Sequence, residues 1–247
     1  MADAALELAP LEPAGGRRAE QVMEAVRSAL DSGAMRAGVK YSVYQLAETL
    51  GVSRTPVRDA LLRLEEVGLI RFEARQGFRV LLPDPREIAD IFAIRLALEL
   101  PASARAATVC DGALADRLRR RMDLLHTAAA AGDERTFAAH DLLLHDDILE
   151  AAGNSRARDI VRSLRESTRL LGASTADRTR GLFDIDAEHQ PVVAAIIGNE
   201  PAAAVDAMRR HLTSTGRLLV DQAIRDQESP LDGAAVWADA VLVDAGA

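Results

Sequence analysis

Histidine is scarce in this chain, five residues in 247, and three of the five fall at spacings that can build a cation site. Asp141 and His145 are four apart, so on a helix both project from one face. His189 and His211 stand eleven residues to either side of Glu200, the centre of the turn Gly198-Asn199-Glu200-Pro201. In an antiparallel helical hairpin about that turn the two sit at one level, provided both face inward. One carboxylate and three imidazoles then converge inside a bundle, a donor set suited to Zn²⁺, Ni²⁺, Fe²⁺ or Mn²⁺. The plain alternative for each histidine taken singly is a satisfied core or surface side chain. The spacing does not show that the Asp141 helix meets the hairpin.

A second group of chemistry-bearing residues lies near the N-terminus. Ser53 can cap, and Arg54, Thr55 and Arg58 begin, a segment, RTPVRDALLRLEEVG, whose Val57, Leu61, Leu64 and Val67 repeat at helical spacing. Arg54 and Arg58, four apart, share a face. Arginine reads guanine bidentately, and Ser or Thr can meet phosphate or base edges. An ordinary helix with solvated arginines is the competing reading. The surroundings decide between them. Residues 18–32 place Val22, Ala25, Val26 and Leu30 on one helical face, Ser42 can cap a short helix ended by Gly51, and LIRFE and FRVLL alternate as strands around a loop from Ala74 to Gly77. Helix, helix–turn–helix and two-stranded ribbon make a winged helix-turn-helix, whose second helix enters the major groove by its N-terminal end.

The remaining elements follow from breakers and periodicity. Residues 1–16 mix Ala, Pro, Gly and acids without a period and read as a disordered tail. Residues 17–82 form the winged domain, and 83–86, with Pro83 and Pro85, a linker. Residues 87–226 read as an all-helical domain with helices near 86–107, 112–131, 133–152, 154–172, 182–197 and 201–226. Residues 227–247 read as a tail in which Trp237 and Val241–Val243 can dock locally. The expected fold is mainly α, a winged helix-turn-helix followed by a six- or seven-helix bundle.

Composition narrows the function classes. A single cysteine, Cys110, excludes a disulfide framework and a Cys-based zinc finger. Apolar runs are too short to span a bilayer, and the acidic N-terminus does not read as a secretory signal, so no membrane partner and a cytoplasmic location are expected. The net charge of −8 taken whole argues against nucleic acid. Divided, it does not: residues 17–82 carry eleven bases against eight acids, while the first 16 residues hold three acids and no base. The small domain is basic and the rest acidic.

At this point two stretches become recognisable. LAETLGVSRTPVRDALLRLEEVGLI followed by RQGFRV resembles the DNA-binding domain of the GntR family of bacterial transcription regulators. The resemblance implies base contacts from Arg54 and Arg58, a phosphate contact from Thr55 and a minor-groove wing near Gly77. Tyr44 stands where some members carry a DNA-contacting arginine. DLLLHDDILEAAGN and EHQPVVAAIIGNEPAAAVDAMRRHL resemble the FCD ligand-binding domain of the FadR subfamily, and the domain length is similar to its VanR-like branch. In metal-containing members the residues matching Asp141, His145, His189 and His211 hold a divalent ion, with zinc the first choice here. The resemblance also implies that Arg95, in FAIRLALE, faces an effector pocket and clamps a carboxylate. An exposed Arg95–Glu99 salt bridge is the alternative. Arg169 is a second candidate.

Together these features imply a homodimeric repressor binding a near-palindromic operator in double-stranded DNA, with its affinity modulated by a small organic acid. A metal-responsive regulator is the alternative. A metal-dependent hydrolase ranks lower, because no general base or nucleophile motif accompanies the ligands.

Overall fold

A computed structural model describes residues 8, 10–11, 18–36, 38–66, 68–73, 77–81, 84–170 and 180–241. The chain divides into two compact units, Met1–Pro83 with Ser167–Ala173, and Asp84–Glu166 with Ser174–Ala247.

In the first unit three helices, α1 (Arg18–Asp31), α2 (Val43–Thr49) and α3 (Arg54–Glu66), pack beside a small sheet. The Ser42 hydroxyl accepts from the backbone N–H groups of Tyr44 and Gln45 and so starts α2. Val22 and Val26 of α1, Leu46 of α2 and Val57, Leu61 and Leu64 of α3 meet in one apolar core. Val67, expected to extend that stripe, lies outside the described residues. The sheet has one strand more than the expected ribbon. Strand β1 (Lys40–Tyr41) joins β2 (Ile70–Glu73) and β3 (Gly77–Val80) in an antiparallel sheet of order β1-β3-β2. Two residues are too few for an alternation to register in a sequence.

Gly77 opens β3 with φ +98°, and a Cβ there would collide with the Tyr41 carbonyl oxygen. Its backbone conformation and the closeness of β1 both demand glycine. The rest of the expected wing loop, Ala74 to Gln76, lies outside the described residues. The expectation of a wholly disordered N-terminal tail needs correction at Leu8 and Leu11. Both pack against the core of this unit, and the Leu11 N–H donates to the Leu50 carbonyl at 3.0 Å. Two isolated leucines give no periodicity, yet each removes apolar surface from water.

The second unit is helical: α4 (Pro85–Val109), α5 (Gly112–Ala131), α6 (Glu134–Ala151), α7 (Ser155–Leu170) up to Glu166, α8 (Leu182–Ile197), α9 (Pro201–Asp226) and α10 (Gly233–Ala240). Helix α4 packs against α6, α8, α9 and α10. This is why its apolar residues run around the helix and not along one stripe. Asp111, Asp133 and Asn154 each accept a backbone N–H at the start of the following helix. Gly132 ends α5 with φ +65°.

The α8–α9 turn is fastened by Asn199. Its left-handed backbone (φ 56°) is tolerated by asparagine, and its amide donates to the carbonyls of Ala107 at 2.9 Å and Cys110 at 3.3 Å. The expected C-terminal tail is corrected as well: Gly233–Ala240 is a helix, capped by Asp232 and docked on α4 and α9. Trp237, 1% exposed, lies tilted against Phe92 with ring centroids 6.1 Å apart and fills a slot that a side chain at Gly216 would close.

Candidate functional site

Three histidines meet in the second unit. His145 comes from α6, His189 from α8 and His211 from α9, all buried, with one nitrogen of each within 4.8 Å of the others. Asp141, one turn before His145, turns one oxygen toward them: Oδ1 lies 2.9 Å from His189 Nε2 and 3.8 Å from His145 Nε2. Both Nε2 atoms are buried and, Asp141 apart, have no partner among the described residues. Orphaned buried nitrogens are costly, and nitrogen and oxygen aimed at a common point are what a cation relieves. The structure brings together all four residues that the spacing singled out.

Each of three donors is held from behind by a charged side chain. Glu99 bonds His145 Nδ1. Glu188 bonds His211 Nδ1 at 3.0 Å. Arg165 of α7 pairs with Asp141 Oδ2, which leaves Oδ1 for the histidines. Carboxylates on the far nitrogen fix the tautomer that presents Nε2 and raise its basicity. Glu188 is anchored in turn by Arg180 and by the Ser214 hydroxyl at 3.1 Å. None of these partners was singled out by spacing, except Glu99 in another role, because all depend on which helices pack together.

The electrostatics keep the donors in their ligating forms. Burial, with the Arg165 charge added, lowers His145 to about 4. Burial and the neighbouring His189 lower His211 to about 3. Burial opposes ionisation of Asp141, but Arg165 and the histidines outweigh it and hold the carboxyl well below its usual range. Burial likewise opposes Glu188, which His211 and Arg180 pull down to about 2. At neutral pH His145 and His211 are therefore neutral imidazoles and Asp141 an ionised carboxylate, forms that metal binding needs.

The Arg95–Glu99 pair is no surface pair. Their side chains are 5% and 1% exposed, 2.7 Å apart, with the Arg95 guanidinium 4.7 Å from the Phe92 ring centroid. Glu99 therefore bridges Arg95 to His145. Arg95 Nη2 and Arg165 Nε are buried without hydrogen-bond partners among the described residues. Arg169 follows one turn after Arg165 on α7, and its side chain lies outside the described residues. Asp146 and Asp147, beside His145 in sequence, serve structure: Asp146 binds Arg158 and Arg162 of α7, and Asp147 binds Arg121 of α5 at 3.1 Å.

In the first unit Ser53 precedes α3, and Arg54, Thr55 and Arg58 stand exposed in its first turns. The Arg58 guanidinium lies 5.8 Å from the Phe72 ring of β2, which limits where its fork can point. Tyr44, 62% exposed, adds a large aromatic on α2.

Two family models match the chain. One, for the gntR family of bacterial regulatory proteins, covers residues 18–80; the other, for the FCD domain, covers 90–214. A probable D-xylose utilization operon transcriptional repressor from Paenarthrobacter nicotinovorans is 28% identical over 79% of this chain and 86% of its own. The regulator McbR of Escherichia coli is 35% identical over 46% of this chain and 51% of its own. The solved E. coli McbR/YncC structure superposes with a TM-score of 0.65 over 83% of this chain and 98% of that one, at 24% identity. A GntR regulator from a Rhodococcus species gives 0.67 over 83% and 99%, at 22%. The chain thus belongs to the gntR family of bacterial regulatory proteins, as a DNA-binding transcriptional regulator that carries an FCD domain.

Proposed function

We propose that this regulator is a homodimeric repressor whose operator affinity is set by a small organic acid bound beside a divalent metal in the FCD domain. The carrying observation is the set of buried, unpartnered histidine nitrogens facing Asp141 Oδ1. Asp141, His145, His189 and His211 would hold the ion, zinc first among the metals their donor set suits. When bound, the ion supplies a Lewis acid for a carboxylate oxygen. Arg95, held against Phe92 and Glu99, offers Nη2 to the same carboxylate.

That atom is closed over in the present arrangement, so an acid reaching it must displace neighbouring side chains. Differential contact of that kind is how a ligand shifts a conformational equilibrium. On the DNA side, Arg54 and Arg58 read bases, Ser53 and Thr55 fix the helix on phosphates, and the wing that ends at Gly77 approaches the minor groove. Curated relatives named as repressors, for D-xylose utilization and for the gluconate operon, support the direction of control.

The test is a gel-shift titration of metal-loaded protein on its operator with a panel of small acids. A shift in operator affinity with at least one acid supports the reading. Release of DNA by a chelator alone, with no response to any acid, would favour the metal itself as the signal.

A further inference from the structure

Resting on the acid-sensing reading, we infer that the acid is a dianion, a dicarboxylate with one carboxylate at the metal and Arg95 and the other at Arg165. Charge balance is the first argument. Among the described residues around the histidines, Glu99, Asp141 and Glu188 are paired with Arg95, Arg165 and Arg180 respectively. Three carboxylates cancel three guanidiniums. Ligating imidazoles are neutral, so a divalent ion adds two positive charges that these pairs among the described residues do not compensate. Uncompensated buried charge is expensive. A monocarboxylate removes half of it and a dicarboxylate all of it.

The second argument is geometric. Two guanidinium atoms, Arg95 Nη2 on α4 and Arg165 Nε on α7, are buried without an acceptor among the described residues. They belong to different helices and each arginine is otherwise engaged, Arg95 by Glu99 and Arg165 by Asp141. Two orphaned cationic donors on separate elements ask for two acceptor groups. Arg165 is also among the influences that make protonated Arg95 less favourable, after burial itself, so the two cations feel one another across the site. An anion with a carboxylate at each end relieves both.

Matched acids decide the matter. Zinc-loaded full-length protein is titrated calorimetrically with succinate against butyrate and with malate against 2-hydroxybutyrate. Each diacid is expected to bind tighter by about tenfold or more, the value of one added charge-assisted hydrogen bond. Arg165→Gln is expected to bring the diacid down to the affinity of its monoacid, read as Kd per zinc-loaded site so that any loss of zinc changes the stoichiometry alone. Equal affinity for mono- and diacids in the wild type, or an undiminished preference in R165Q, would overturn the dianion while leaving acid sensing in place. Failure of all four acids to bind zinc-loaded protein would remove the acid-sensing reading, and the dianion with it.

Discussion

Glu99 and Glu188 are polarised from both sides, by an arginine and by a histidine ring, and two of the proposed metal donors depend on them. Replacing either by Gln keeps the shape and removes the charge. Zinc affinity should fall by about 10–100-fold in E99Q and E188Q, as measured by competition with a chelator; an unchanged affinity would deny these carboxylates their role. Without metal, the histidines set a pH dependence of stability. Folded His145 and His211 titrate near 4 and 3, below the ordinary 6.5, so the unfolded chain binds more protons between those limits. Metal-free protein should lose stability as pH falls from about 6.5 toward 4, and thermal melts across that range will show it. On the DNA side, Arg54→Ala and Arg58→Ala should each cost about 1–3 kcal/mol on the operator if the arginines read bases. An equal loss on random DNA would reduce them to phosphate contacts.

Element boundaries were the part of the fold most legible in the sequence. Helices α5, α8 and α9 begin and end where sequence patterning places them, because each is bracketed by an acid, glycine or proline with a local mechanism. Strand β1 was not legible, since its existence depends on β3 lying opposite. The same limit applies to the candidate site. The i,i+4 spacing of Asp141 and His145, and the symmetry of His189 and His211 about Glu200, can be read along the chain. The hold of Glu188 on His211, Arg165 on Asp141 and Glu99 on His145 appears only once α4, α6, α7, α8 and α9 are packed. Close packing also explains Gly216. Gly216→Ala would drive a methyl group into the Trp237 and Phe92 rings and should cost about 1–3 kcal/mol in urea unfolding. A neutral G216A would mean that α10 yields easily.

Charge at the scale of the whole chain misleads until it is divided. The −8 total coexists with a modest positive excess in residues 17–82, so affinity for DNA of random sequence should be weak at physiological salt, and specific contacts should dominate. Tight binding to a random duplex under those conditions would contradict this. No helix among the described residues is long and apolar enough to cross a membrane. The docking of α10 has an optical consequence. Trp237 is the only tryptophan in the chain, so its fluorescence has a single origin. The indole rests on Phe92, whose ring also carries Arg95, the residue proposed to grip the acid. A ligand that pulls on Arg95 disturbs the ring on which the fluorophore lies, and its emission becomes a label-free signal of occupancy built into the C-terminal helix.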